Sequence, residues 1–119
     1  MVYNTENARE VTPHGKFPKD TILDGIIVRI TDGQVKDFAK NWKNPEQPAI
    51  QVHYECGTGE NIIQDDTIFT YLMGEDKVVE YTMKSNIGKY KVKYGHLPTV
   101  QDKIKVITNS DGYGQIKLD

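Results

Sequence analysis

Residues 84–119, KSNIGKYKVKYGHLPTVQDKIKVITNSDGYGQIKLD, decide how the rest of the chain is read. Ser85 suits the first capping position of a helix, Gly95 stands where a left-handed residue ends one, and Pro98 follows where a stopped helix often carries proline. Between them Ile87, Tyr90 and Tyr94 form a helical stripe, although Tyr90, Val92 and Tyr94 also alternate with Lys89, Lys91 and Lys93 as a strand would. The boundary signals predict a helix within 84–94, against the presence of Gly88 and two β-branched residues. Beyond the helix Ile104, Val106 and Thr108 alternate, Asn109 to Gly112 turn, and Tyr113, Ile116 and Leu118 mark a last strand. The stretch reads as helix, proline turn and β-hairpin.

Working outward from this end, the preceding chain is β in character. From Thr21, the residues Ile22, Ile26, Val28 and Ile30, with Ile27 among them, predict a strand that Asp32-Gly33 closes with a turn. Gln34 to Gln47, QVKDFAKNWKNPEQ, is a long connection in which Val35, Phe38 and Trp42 fall at helical spacing. Ala49 to Cys56 alternates Ile50, Val52, Tyr54 and Cys56 with Gln51, His53 and Glu55, the pattern of a half-buried strand. Gly57 to Glu60 reads as a hairpin turn into a third strand over 61–73, then Gly74-Glu75-Asp76 turns into a short strand over 78–83. Residues 1–20, punctuated by Pro13, Gly15 and Pro18, read as an extended or flexible arm, which leaves 21–119 as one domain.

The order strand, long loop, strand, hairpin, strand, helix, strand, hairpin, strand resembles the five-stranded OB-fold, a Greek-key barrel whose single short helix lies between its third and fourth strands. The run SNIGKYKVKYGHLPTVQDKIKVITNSDGYGQIKL is similar to the helix-to-hairpin end of small microbial and phage OB-type domains, and Asp24-Gly25 to the opening of their first strand. Gln101 departs from the pattern, since such domains often carry glycine there. The resemblance covers roughly residues 20–119 and implies a mainly β barrel. It also implies single-stranded nucleic-acid binding, DNA in the first place, in replication, repair or RNA handling, because OB barrels bind oligonucleotides or oligosaccharides across their second and third strands and flanking loops.

Charge is distributed unevenly. Between residues 84 and 105 six lysines face the single acid Asp102, whereas between 46 and 80 eight acids face only Lys77. The net charge of −2 does not mark a strongly basic nucleic-acid binder, although a local basic field can still bind an anion. One cysteine, Cys56, excludes an internal disulfide, and the amino terminus lacks the apolar core of a signal peptide, so a cytoplasmic location is expected. No apolar run approaches the roughly 20 residues needed to cross a bilayer, so no membrane partner is expected.

Candidate binding residues follow from these elements. Lys36, Phe38, Lys40, Trp42 and Lys43 mix cations with rings in the first loop, the combination that neutralises phosphates and stacks on bases; the alternative is that the rings cover the barrel end. His53, Phe69 and Tyr71 form a platform if Ile68, Thr70 and Leu72 point inward, and are core in the other register. Lys89 and Lys91 add basic positions, though a helix would spread the lysines around itself. A protein-interaction module using the acidic centre or the arm is the rival class.

Catalytic and metal readings find less. His53 and Cys56 are three apart and point to opposite faces of a strand. Cys56, His14, His53 and His96 have no zinc-ligand spacing, the acids at 60, 65, 66, 75 and 76 match no calcium loop, and Gly57-Thr58-Gly59 is no phosphate loop. No enzyme activity, metal or cofactor is expected.

Overall fold

The computed structural model describes residues 3–8, 17–110 and 113–119. The elements run β1 (Ile22–Gln34), α1 (Val35–Phe38), β2 (Pro48–Thr58), β3 (Asn61–Thr70), β4 (Leu72–Met73), β5 (Val79–Glu80), α2 (Asn86–Tyr94), β6 (Lys103–Thr108) and β7 (Gly114–Ile116). Five strands form one antiparallel sheet in the order β3-β2-β1-β6-β7, and β4-β5 is a separate hairpin. The sheet curls until β7 meets β3, where the Gly114 N–H donates to Asp65 Oδ2 at 3.3 Å. The result is a nearly closed mainly β barrel compatible with an OB-like fold, with α2 entering after the sheet's third strand, β3, and before its fourth, β6.

The alternation of β2 sets the inside of the barrel. Val52, Tyr54 and Cys56 are buried with Leu23, Ile27, Ile63, Phe69, Ile104, Val106 and Ile116, while Ile87 and Tyr90 of α2 plug one end. Burying such side chains contributes about 1.5–3 kcal/mol each, which is what holds the strands in register. Tyr54 carries a polar group into this core, and its hydroxyl donates to Gly114 O at 2.7 Å, tying β2 to β7 across the barrel. Burial raises the pKa of that hydroxyl above its usual value, so it stays a donor.

The helix is built as its boundary residues dictate. Ser85 Oγ accepts from Gly88 N–H at 3.2 Å, and Gly95 ends the helix at φ 90° with its N–H donating to Lys91 O. Gly88, which counted against a helix, is required by packing: a Cβ there would lie 2.1 Å from Thr82 O and 2.8 Å from Met83 Cα. The helix then docks through a polar node. Tyr90 Oη donates to Asp102 Oδ2 at 2.6 Å, Thr99 N–H donates to the same oxygen at 3.0 Å, and His96 Nε2 lies 2.8 Å from Oδ1. Burial alone would raise the Asp102 pKa, but the hydrogen bonds from Tyr90, His96 and Thr99 outweigh it and hold the carboxyl below its ordinary value.

Several element limits differ from the sequence reading. The first strand continues through Asp32-Gly33 to Gln34, because Gly33 pairs with Ala49. Its buried residues before the midpoint are Leu23 and Ile27, not Ile22 and Val28, which are exposed. A register shift between Ile27 and Arg29 reverses the alternation, since one extra residue in a strand flips every side chain beyond it. α1 is a single turn that ends before Trp42, and the third strand breaks at Tyr71 so that Leu72 and Met73 pair with β5 instead. Half of the arm, residues 1–2 and 9–16, falls outside the described residues, as do Asp111 and Gly112 of the expected last turn. Of the residues before β1, Phe17 packs on the core and Asp20 N–H donates to Thr108 O.

Gln101, at the position where OB-type domains often carry glycine, has φ 77°, and its N–H donates to Ile27 O at 2.9 Å. A side chain in this left-handed region is strained by about 1–2 kcal/mol, only part of which glycine gives back through its own unfolded-state entropy. Thermal unfolding should therefore show Gln101→Gly gaining up to about 1 kcal/mol. In the same assay Gly88→Ala, although it raises helix propensity, should lose about 1–3 kcal/mol through backbone collision; a stabilised Gly88→Ala protein would show that the close approach is not a constraint.

Candidate functional site

The outward face of β1, β2 and β3 carries the polar half of each alternation. Arg29, His53 and Asp66 lie in one cross-strand row, because Arg29 pairs with His53 and His53 with Asp66. Arg29 Nη2 lies 3.3 Å from His53 Nε2. In the next row Gln64 Nε2 donates to Glu55 Oε1 at 2.9 Å. Together these side chains line a shallow groove of about 390 Å³. It holds one guanidinium and one imidazole beside the carboxylates of Glu55, Asp65 and Asp66, so only its Arg29-His53 side suits an anion.

The loop joining β1 to β2 lies at one end of this face. α1 anchors it: Val35 and Ala49 are buried, Val35 N–H donates to Gln47 O at 3.0 Å, and Lys36 N–H donates to Pro45 O at 2.8 Å. The Phe38 ring covers Gly33, where a Cβ would meet its Cζ at 3.1 Å. Phe38 is accordingly half-buried and serves to seat the loop. Lys36, Lys40 and Lys43 are exposed, and Trp42 keeps 47% of its surface in solvent. Lys36 lies 3.9 Å from Glu46, an exposed pair that holds it only weakly. Ala49 is four residues from His53 along β2, so roughly 13 Å separates the loop from the Arg29-His53 pair.

Two of the expected site residues are withdrawn. Phe69 and Tyr71 are 1% and 8% exposed, so the platform expected with His53 does not exist. Ile50 pairs with Phe69, and that register sends the ring inward to meet Tyr90 edge-on at 5.9 Å between centroids. Tyr71 donates its hydroxyl to Asp32 Oδ1 at 2.8 Å, and burial, followed by that carboxylate, pushes its pKa up to about 12. Neither ring is available to a base.

Lys89 and Lys91 stand apart from the loop on α2. Lys91 Nζ donates to Tyr81 Oη at 2.5 Å and sits 5.3 Å from the Tyr81 ring centroid, whereas Lys89 points outward. Between the two lysine groups runs the segment 70–85: Leu72 shares a groove with Pro45 and Glu46, and Thr70 and Tyr71 share another with Tyr81 and Ser85. The basic charge of the carboxy-terminal region is also partly engaged, since Lys105 pairs with Asp24 and Lys117 lies 3.3 Å from Asp119.

Sequence reasoning missed Arg29, which sits within an apolar run and reaches the outer face only because of the bulge after Ile27. It also passed over Tyr113, an aromatic residue 44% exposed on the β6–β7 loop. The signal for Tyr113 was present, because that loop flanks the ligand face of OB barrels. Cys56 is buried opposite His53, and burial with the nearby Asp65 charge pushes its thiol up to about 11. Among the described residues no group of three or more His, Cys, Asp or Glu side chains is arranged to hold a metal ion, and no helix is long and apolar enough to cross a membrane.

Comparison with family models, with curated proteins and with solved structures returns no match for this chain.

Because the thiolate is the nucleophile, a buried thiol with this raised pKa should resist modification. Labelling with a disulfide reagent at neutral pH should leave Cys56 unmodified in the native protein and modify it fully in denaturant. Rapid native labelling would place Cys56 at an accessible site.

Proposed function

We propose that this barrel is a non-enzymatic module that binds single-stranded nucleic acid, DNA in the first place, along the outer β1-β2-β3 face and the loop between β1 and β2. One observation carries the reading: Trp42, half-exposed, stands among the exposed Lys36, Lys40 and Lys43 at the end of the face that bears Arg29 and His53. In this reading the lysines and Arg29 neutralise phosphates, and Trp42 stacks on a base for about 1–3 kcal/mol. Phe69 and Tyr71 take no part. Glu55 and Asp66 repel phosphate on the far side of the groove, which keeps the path short, near the lower end of the roughly 4–16 nucleotides an OB barrel covers. The OB-like topology supports the choice of face, since ligands of such barrels lie across these strands.

The test is fluorescence anisotropy of a labelled single-stranded oligonucleotide at low and near-physiological salt, with Trp42 emission followed in parallel. Affinity should fall with salt at a logarithmic slope of about −0.7 per neutralised phosphate. Trp42 emission should be quenched on binding. Trp42→Ala should cost about 1–3 kcal/mol at constant salt slope, and Lys40→Glu with Lys43→Glu should flatten the slope. Flat anisotropy at low salt would reject the proposal and favour a protein ligand.

A further inference from the structure

The β4–β5 hairpin and the residues beside it carry an uncovered apolar surface. Leu72, Met73, Val78, Val79 and Met83 each keep 40–58% of their surface exposed. Its backbone is nonetheless ordered by turn hydrogen bonds, with Gly74 N–H donating to Val78 O at 2.9 Å and Lys77 N–H to Gly74 O at 3.0 Å. An ordered excursion that presents side chains of this kind to water marks an interface. Glu75, Asp76 and Glu80 rim it against Lys77, with Lys84 next to Met83 at its far end, so its occupant must be apolar at the centre and basic at the edge.

This chain supplies such a surface on α2. Lys89 and Val92 head an outward stripe at i and i+3, with Val92 65% exposed, on the side opposite the buried Ile87 and Tyr90, and Lys93 next to them donates its Nζ to Asp119 O at 3.0 Å. The two surfaces are neighbours. Lys91 on the flank of α2 reaches Tyr81, and Val79 shares a groove with Ile87. The hairpin therefore lies against the flank of its own helix and does not cover the outward stripe. Within one molecule the match is unused; a two-fold axis between two molecules would use it twice, hairpin on helix and helix on hairpin, in a closed contact.

We infer that a second copy of this chain docks its α2 stripe on the β4–β5 hairpin, giving a two-fold dimer. The contact uses neither Arg29, His53 nor Trp42 and the lysines of the β1–β2 loop, and it needs no oligonucleotide to form.

Sedimentation equilibrium of the full chain over a concentration series, without oligonucleotide, tests it. A monomer–dimer equilibrium that weakens with salt is expected. Met73→Glu with Val79→Glu should weaken it about tenfold or more while far-UV circular dichroism stays unchanged, because both side chains are exposed. Lys89→Glu alone should also weaken the dimer, and adding Glu75→Lys with Glu80→Lys to that protein should restore it by charge reversal. A monomer at every concentration would overturn the inference and leave the hairpin to a different basic protein. So would a dimer indifferent to Met73→Glu and Val79→Glu, or a reversed-charge protein that stays monomeric.

Discussion

The register of β2 against β3 is the constraint on which this molecule depends. Val52, Tyr54 and Cys56 point inward because they alternate on β2, and pairing Ile50 with Phe69 and Cys56 with Ile63 puts the apolar members of β3 on the same side. A slip of one residue would turn Phe69 outward and bring Ile68 and Thr70 in, exchanging a ring packed on Tyr90 for an underfilled interior. The same register carries Asp65 to the seam, where it meets Gly114, and leaves the Tyr54 hydroxyl to span the barrel to Gly114 O. Closure of the barrel, seating of α2 and the composition of the outer face all follow from this one pairing.

Polar contacts complete what the apolar core begins. Asp102 gathers Tyr90, Thr99 and His96 at the base of α2, while its own carbonyl accepts from Ile27 N–H, so the helix, the turn after it and β1 meet at one residue. Such a node is useful only when every member is satisfied, and among the described residues no buried side-chain polar atom lacks a partner. The strained Gln101 is held in place by its bond to Ile27 O, which makes the strain part of how β6 is led onto β1.

Electrostatics then divides the surface. Lysines of the β1–β2 loop and of α2 belong to different surfaces, with the hairpin and its acids between them, so the chain's basic residues do not add up to one field. The proposed nucleic-acid surface joins a loop with one tryptophan and three lysines to the face that bears Arg29 and His53, and the proposed dimer contact uses the acid-rimmed hairpin. The two surfaces ask for opposite ligands, and separate use of both is physically consistent.

Much of the architecture was legible in local sequence. Ser85 and Gly95 bound α2 because capping chemistry is local, and the alternation of Ile50 to Cys56 marked β2 because a period of two is written residue by residue. The grouping of lysines and rings in the first loop was legible for the same reason, whereas the exposure of Trp42 and the packing of Phe38 on Gly33 were not. What no local pattern held was register and close approach. Whether Phe69 and Tyr71 faced solvent depended on which residue of β2 lay opposite them, and the position of Arg29 on the bulge between Ile27 and its partner strand. Gly88 looked unfavourable until the Thr82–Met83 backbone was seen against it. The sequence by itself determined the order of elements, the helix limits and the inward alternation of β2, because these rest on neighbours along the chain. Only the tertiary structure decided which aromatic rings are core and which cations share a face, because those depend on partners far away in sequence.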